Sequence, residues 1–418
     1  MDLSGLRVVV CALGGRRGFL ELPESVVAGG RTPLTGGERS LYELATALSV
    51  LGLEVELRGH LHEGILSTLT EAAGAGPRVG FPPRRPEPGE IVILPEGLKE
   101  IDLFLACHLS AARTVVDLLG PPGLYGWSFL PGWSPGDSLT LEPASVGTPA
   151  MYRSMAELGF TLWSNAHGLV EAGRRAGVTV EWTGTGTPVP FPDPPVKTAD
   201  VALIQESRWF PLAESVIQRL SGASVLYVLP EHHAEYSLSE ALGPARILPW
   251  PSRVEGSSRI AREARAVGTV PVALDINPFA TREDHGDGTV LVPDLDGMLR
   301  ETNRLLEAPD ELAERAVRVA RSARADADWG RFVERVAVAV RSLPPVPSSD
   351  ARAALVQGMM TEHARLLDTL QRESEARAAA TRELATYRAR RVIRLLDDSR
   401  LAGVIHSARR PFRRHSAR

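Results

Sequence analysis

A chain of 418 residues is long enough for two full domains and an appendage, and its 44% hydrophobic and 23% charged residues exclude a disordered or fibrous protein. The net charge of −4 supplies no general attraction to nucleic acid. Cys11 and Cys107 are the two cysteines, too few for a disulfide scaffold or a zinc cluster, and they suit buried thiols in a reducing cytoplasm. Only two of the 47 basic residues are lysines, Lys99 and Lys197, so a cationic site has to be built almost wholly from arginine. No run approaches the ~18 apolar residues of a membrane span, and "MDLSGLRVVV" reads as a first strand rather than an export signal.

In chain order, "RVVVCALG" is short, β-branched and apolar and predicts a strand. "GGERSLYELATALSVLG" then places Leu41, Leu44, Ala45 and Leu48 at helical spacing, and "LEVELRG" follows as a second strand. "EIVILP" and "IDLFLACH" predict further strands, "LSAARTVVDLLG" a helix after the latter, and "GLVEAGRRAG" the helix that closes this unit. Strand, Gly-rich turn and helix in alternation imply a parallel sheet covered on both faces. The prolines of "TGTGTPVPFPDPPVK", 183–197, can continue neither a helix nor a central strand and mark a linker between domains.

The alternation then restarts. "VALIQE", "SVLYVLP", "ARILPWP", "VPVALDI" and "TVLVPD" predict strands, and helices fall near 211–221, 234–242, 258–267 and 295–307. Two more, about 309–326 and 328–342, end the second unit. "SLPPVPSSD" leads into a polar, Arg- and Glu-rich helix, and residues 388–418 carry ten arginines against two aspartates. The expected architecture is α/β: two doubly wound Rossmann-like domains with a C-terminal helical tail. Its parts are an N-terminal domain over 1–182, the linker 183–197, a second domain over 198–343 and a basic helical tail over 350–418. Two such domains leave a cleft facing the carboxyl ends of both sheets.

"PSRVEGSSRIAREARAVGTVPV" carries the strongest chemical signal, Glu255 and Glu263. The strand "ARILPWP" delivers the chain to the cleft, and a helix beginning near Ser257 or Ser258 points its N-terminus there, where free amides and the helix dipole suit a phosphate. Eight residues rotate a helix by about 80°, so both carboxylates can face one crevice and accept hydrogen bonds from sugar or ribose hydroxyls. Taken alone, two acids at a helix start are more often solvated side chains that stabilise the helix end.

The run "PSRVEG" followed by "EARAVGTVPV" resembles the donor-site signature of retaining glycosyltransferases of family four, whose architecture is GT-B. The resemblance continues through "GDGTVLVPDLDGMLRETNRLLEAPDELAERAVRVAR" and "DWGRFVERV", and more softly through "GGERSLYELATALSVLGLEVELRG". It implies that Glu263 binds the ribose of a sugar nucleotide and Glu255 the sugar, with Gly256 and Ser257 against the donor. Gly36 and Gly37 would let the backbone approach the diphosphate, a role that suits a residue without a side chain. His108 would face the transferred sugar, and Arg208 would neutralise the leaving diphosphate. In this sequence no lysine follows Arg208, and Gly-Ser-Ser stands after Glu255; Arg208, Arg253 and Arg259 are the candidate cations.

The resemblance implies a glycosyltransferase that moves a sugar from a nucleotide sugar to a glycan, lipid-linked or small-molecule acceptor, in bacterial cell-surface polysaccharide or glycolipid assembly. It implies a cytoplasmic protein without metal or other cofactor, and the alternative is a non-catalytic GT-B scaffold or sugar-nucleotide-binding protein. His232 and His233 lack further ligands at zinc-like spacing. Tyr387, Val392, Ile393, Leu395 and Leu396 among the tail arginines suit either peripheral contact with an anionic membrane at the inner face of the plasma membrane or a solvated, disordered end. No nucleic-acid-binding motif accompanies that charge.

Overall fold

The computed structural model describes residues 5–12, 36–59, 63–80, 87, 89–95, 113–122, 146–157, 159–205, 209–228, 238–345, 372 and 379. One compact body spans Met1–Gln357, and a second, Gly358–Arg418, is described at Arg372 and Ala379, both helical.

The first sheet has seven strands: β1 (Arg7–Ala12), β2 (Glu54–Gly59), β3 (Arg78–Gly80), β4 (Ile91–Pro95), β5 (Arg113–Leu118), β6 (Thr161–Ser164) and β7 (Val180–Trp182). They lie in the order β3-β2-β1-β4-β5-β6-β7, and every pairing is parallel. Helices α1 (Gly36–Val50), α2 (Glu63–Ala73), α3 (Pro149–Glu157) and α4 (His167–Arg175) connect them. The second sheet has β8 (Ala199–Ile204), β9 (Val225–Val228), β10 (Ala245–Trp250), β11 (Val270–Leu274) and β12 (Val290–Val292), in the parallel order β12-β11-β10-β8-β9. Its helices are α5 (Phe210–Ile217), α6 (Leu238–Leu242), α7 (Arg259–Ala266), α8 (Arg282–His285), α9 (Leu295–Leu306), α10 (Pro309–Asp326) and α11 (Trp329–Arg341). Strand order reverses between β1 and β4 in one sheet and between β8 and β10 in the other. In doubly wound sheets, ligands bind at the carboxyl ends of the strands beside such a reversal.

The periodicity seen in α1 is the one that packs. Leu41, Leu44, Ala45 and Leu48 are all buried against Val8, Val10, Leu57 and Ile93 of the sheet. The helix α11 crosses back to this sheet: Phe332, Val336, Ala337 and Val340 join the same core. Of the two helices that the sequence groups with the second unit, α10 contributes Leu312 and Val319 to the second core, and α11 packs with the first. Residues 183–197 form no regular element. Lys197 in this segment donates to the carbonyls of Gly243 (2.7 Å) and Val267 (2.9 Å) and to Thr269 Oγ1 (3.1 Å), and burial lowers its pKa to about 8.

The helix expected over "LSAARTVVDLLG" is corrected by the structure, in which Arg113–Leu118 is strand β5. Thr114, Val115 and Val116 are β-branched and stiff at χ1, and they are buried, as in a strand covered on both faces. Such a short apolar run does not distinguish strand from helix by its period. The strand expected over "IDLFLACH" lies outside the described residues, as do Cys107, His232 and His233. Cys11 is buried in β1. Among the described residues no helix is long and apolar enough to cross a membrane.

Candidate functional site

The second sheet delivers Glu255 to its reversal point. β10 ends at Trp250, and residues 251–258 run from there to α7, whose N-cap is Ser258; its hydroxyl accepts from the Ala261 amide at 3.4 Å. Two neighbours fix Glu255 through three hydrogen bonds. Its backbone amide donates to Asn277 Oδ1 (3.4 Å), its carbonyl accepts from Asn277 Nδ2 (2.8 Å), and its carboxylate Oε1 accepts from the Trp209 indole N–H (3.0 Å). Trp209 directly precedes α5 and Asn277 follows β11, so residues after β8, β10 and β11 converge on one carboxylate. Its second oxygen, Oε2, is buried and has no hydrogen-bond partner among the described residues. A buried carboxylate oxygen with its lone pairs unused is costly to leave so, and it is available to an incoming hydroxyl.

Glu263 is placed differently. It is fully buried, and its Oε1 takes Arg39 Nη1 at 3.1 Å and Arg259 Nε at 2.8 Å. Arg259 also grips Glu43 with both ends of its fork, at 2.8 and 2.7 Å. Arg39 and Glu43 sit one turn apart on α1, and Arg259 and Glu263 one turn apart on α7, so the four side chains clamp α1 to α7. Burial alone would raise both acids. Arg259 acts most strongly on Glu43, and Arg39 with Arg259 on Glu263, and both carboxyls are held below their ordinary value. Glu255 and Glu263 therefore face different neighbours: one the second sheet's edge, the other the first-sheet helix α1.

Gly36 and Gly37 form the first turn of α1, so they share a helix end with Arg39. Gly256 is buried against the first sheet's connections: a Cβ there would stand 2.8 Å from Leu169 Cδ1 and 3.2 Å from Ala166 Cβ. Ser257 is half-buried beside it. His108 and Arg208 lie outside the described residues. Of the candidate cations, Arg259 is engaged by Glu43 and Glu263, and Arg253 is half-buried.

Sequence reasoning missed Arg39, Glu43, Trp209 and Asn277. Arg39 and Glu43 at i and i+4 within a buried helix face were a readable signal, since charges there need partners. Nothing in the sequence pointed to Asn277, which reaches Glu255 across 22 residues.

A further clamp joins the sheets. The amides of His167 and Gly168, at the start of α4, donate to Asp284 Oδ1 (2.7 Å) and Oδ2 (2.8 Å). The same carboxylate accepts from the Thr281 amide (2.9 Å) and caps α8. This helix N-terminus is thus occupied by an acid of the chain itself.

No protein-family model matches the chain, and no curated protein does. Solved structures do. Sucrose-phosphate synthase from Thermosynechococcus elongatus aligns with a TM-score of 0.55 at 11% identity, over 81% of this chain and 99% of that one. Anabaena HepE in complex with UDP-glucose aligns with a TM-score of 0.54 at 13% identity, over 81% of this chain and all (100%) of the other. At such identities the likeness establishes the fold. Two parallel doubly wound sheets, with helix α11 returned to the first, give this chain the GT-B fold of those structures.

Proposed function

We propose that the chain is a glycosyltransferase that takes a sugar from a nucleotide-sugar donor to an acceptor. The observation that carries this reading is the Glu255 carboxylate, fixed by Trp209 and Asn277 where the second sheet reverses, with Oε2 buried and unpartnered. In this reading that oxygen accepts a hydroxyl of the donor sugar, and Gly256 and Ser257 line the approach. The first turn of α1, with Gly36 and Gly37, receives the diphosphate. The missing lysine is replaced by Arg39 and Arg259, which Glu43 and Glu263 neutralise until a diphosphate competes for their forks. Once Arg259 turns to the diphosphate, Glu263 is released toward the ribose. His108 faces the transferred sugar, and Arg208 assists the leaving group. Retention of anomeric configuration, membership of family four and a place in bacterial polysaccharide or glycolipid assembly follow from the motif resemblance. Contact of the Arg-rich tail with an anionic membrane belongs to the same reading.

HepE carries UDP-glucose in its own structure, which makes uridine nucleotide sugars the first donors to assay. Incubation with UDP-, GDP- and ADP-sugars, read as nucleotide release with and without acceptor, tests the proposal. Turnover with one donor, reduced at least about tenfold in Glu255→Gln, is the expected result, since a lost hydrogen bond to a charged group is worth that much. Binding without turnover would instead support a non-catalytic sugar-nucleotide-binding protein. That second reading is favoured by the engagement of Glu263 Oε1 with both Arg39 and Arg259.

A further inference from the structure

A cavity of about 810 Å³ lies beside a different face of α7, lined by Arg262 and Arg265 rather than by Arg259 and Glu263. Its volume is that of a small-molecule site. Residues after β6 and β7 form one side, α7, α8 and the turn 286–289 the other, and α10 and α11 complete the wall.

Several charges on this wall are already engaged. Arg265 holds Asp326 at 3.3 Å and Ser322 at 3.5 Å. Arg335 donates to the carbonyls of Thr183 (2.8 Å) and Thr185 (3.1 Å) and lies 4.7 Å over the Trp182 ring. Asp284 is bound to the α4 amides. Arg262 is different. It is 4% exposed, and among the described residues its Nε and Nη1 have no hydrogen-bond partner and no carboxylate lies within ion-pair distance of it. The acids that act on it through space, Glu43 and Glu263, are held by Arg259 and Arg39. Burial first, and repulsion from Arg259 next, lower the Arg262 pKa to about 10. Arg282 and Arg331 stand exposed on the rim, without ion pairs among the described residues, and Glu283 and Asp287 line the same wall. The uncompensated charge is therefore at the floor, and a buried guanidinium without a partner is stable only if something completes it.

We propose that this cavity binds a small molecule through an oxyanion, a phosphate or a carboxylate, with the Arg262 fork as its anchor. The cavity shares Ser257 with the approach to the donor site, but Glu255 and Gly256 are not part of its lining. Its occupant touches loops of the first sheet and α7 of the second, so it ties the two sheets together.

The test is calorimetry and thermal unfolding of the full chain with inorganic phosphate, a hexose phosphate, a hexuronate and the neutral hexose at millimolar concentration. At least one of the three anions is expected to bind and raise Tm, and the neutral hexose is not; which anion binds separates phosphate from carboxylate. Arg262→Met is expected to weaken that binding at least about tenfold while the empty protein keeps or raises its Tm, because an unpaired buried charge is removed. Should Arg262→Met not fold, Arg262→Lys, which keeps the charge and loses the fork, is expected to weaken binding several-fold. Glu255→Gln is expected to bind the anion as the parent does. Absence of anion binding to the parent, unchanged binding in both Arg262 variants, or loss of binding in Glu255→Gln would each overturn the proposal.

Discussion

Asp117, next to the last residue of β5, is a buried acid beside a small gap lined by Ser40, Glu43 and Asn165, and burial raises its carboxyl from 3.8 to about 7. Between those two values the folded chain holds a proton that the unfolded chain has lost. Stability therefore falls as pH rises through that window, and the loss is complete above about pH 7. Asp117→Asn removes the charge, and its expected gain over the parent is near zero at pH 4 and up to about 4 kcal/mol at pH 8. Urea denaturation at both pH values measures it, and an equal gain at both would contradict the assignment. Glu263 works in the opposite sense: its carboxyl is held low, so its pairing contributes above the ordinary carboxylate pKa and is lost as pH falls. Glu263→Gln leaves Arg39 and Arg259 short of an acceptor charge and is expected to cost about 3 kcal/mol. At this scale the motif drew notice to Glu255 and Glu263 but did not show the ion pairs that hold Glu263, because a helix position fixes a direction and not the partner waiting there. The strand β5 was misread for a related reason: burial on both faces erases the alternation that marks a strand.

The elements that hold the two sheets together do so through backbone as well as charge. At Gly168 a Cβ would stand 2.2 Å from both the carbonyl carbon and oxygen of Phe279, a backbone neighbour that cannot rotate away. Gly168→Ala is expected to cost at least about 2 kcal/mol, since the α4 terminus would have to withdraw. Asp284→Ala, which frees two amides at the same end, is expected to cost about 1–2 kcal/mol. Chemical denaturation measures both, and neutrality of Gly168→Ala would show that the contact does not form in solution. None of this was legible in the sequence. "AHGLVEAG" reads as an ordinary helix start, and Asp284 reaches it from more than a hundred residues away. The helices expected over 258–267, 295–307 and 309–326 were legible to within a residue, because their amphipathic periods and caps are local, as with Asp294, which accepts from the Gly297 amide. The one expected over 211–221 ends four residues earlier, and the short α8 was not foreseen.

On the scale of the whole molecule, α11 makes the first sheet depend on the end of the body. Phe332, Val336 and Val340 fill the same core as Leu41, Leu48 and Trp163. A chain ending at residue 328 is expected to expose that core and to lose cooperative unfolding of the first sheet, which circular dichroism during thermal unfolding would detect. The central claim is that a nucleotide sugar binds at Glu255. Calorimetric titration of the full chain with UDP-glucose, UDP, GDP and ADP, repeated on Glu255→Gln, tests it most directly. The account predicts saturable binding of one nucleotide series, with the sugar adding affinity in the parent and not in the variant. Equal affinity of parent and variant for every nucleotide sugar, or no binding at all, would contradict it.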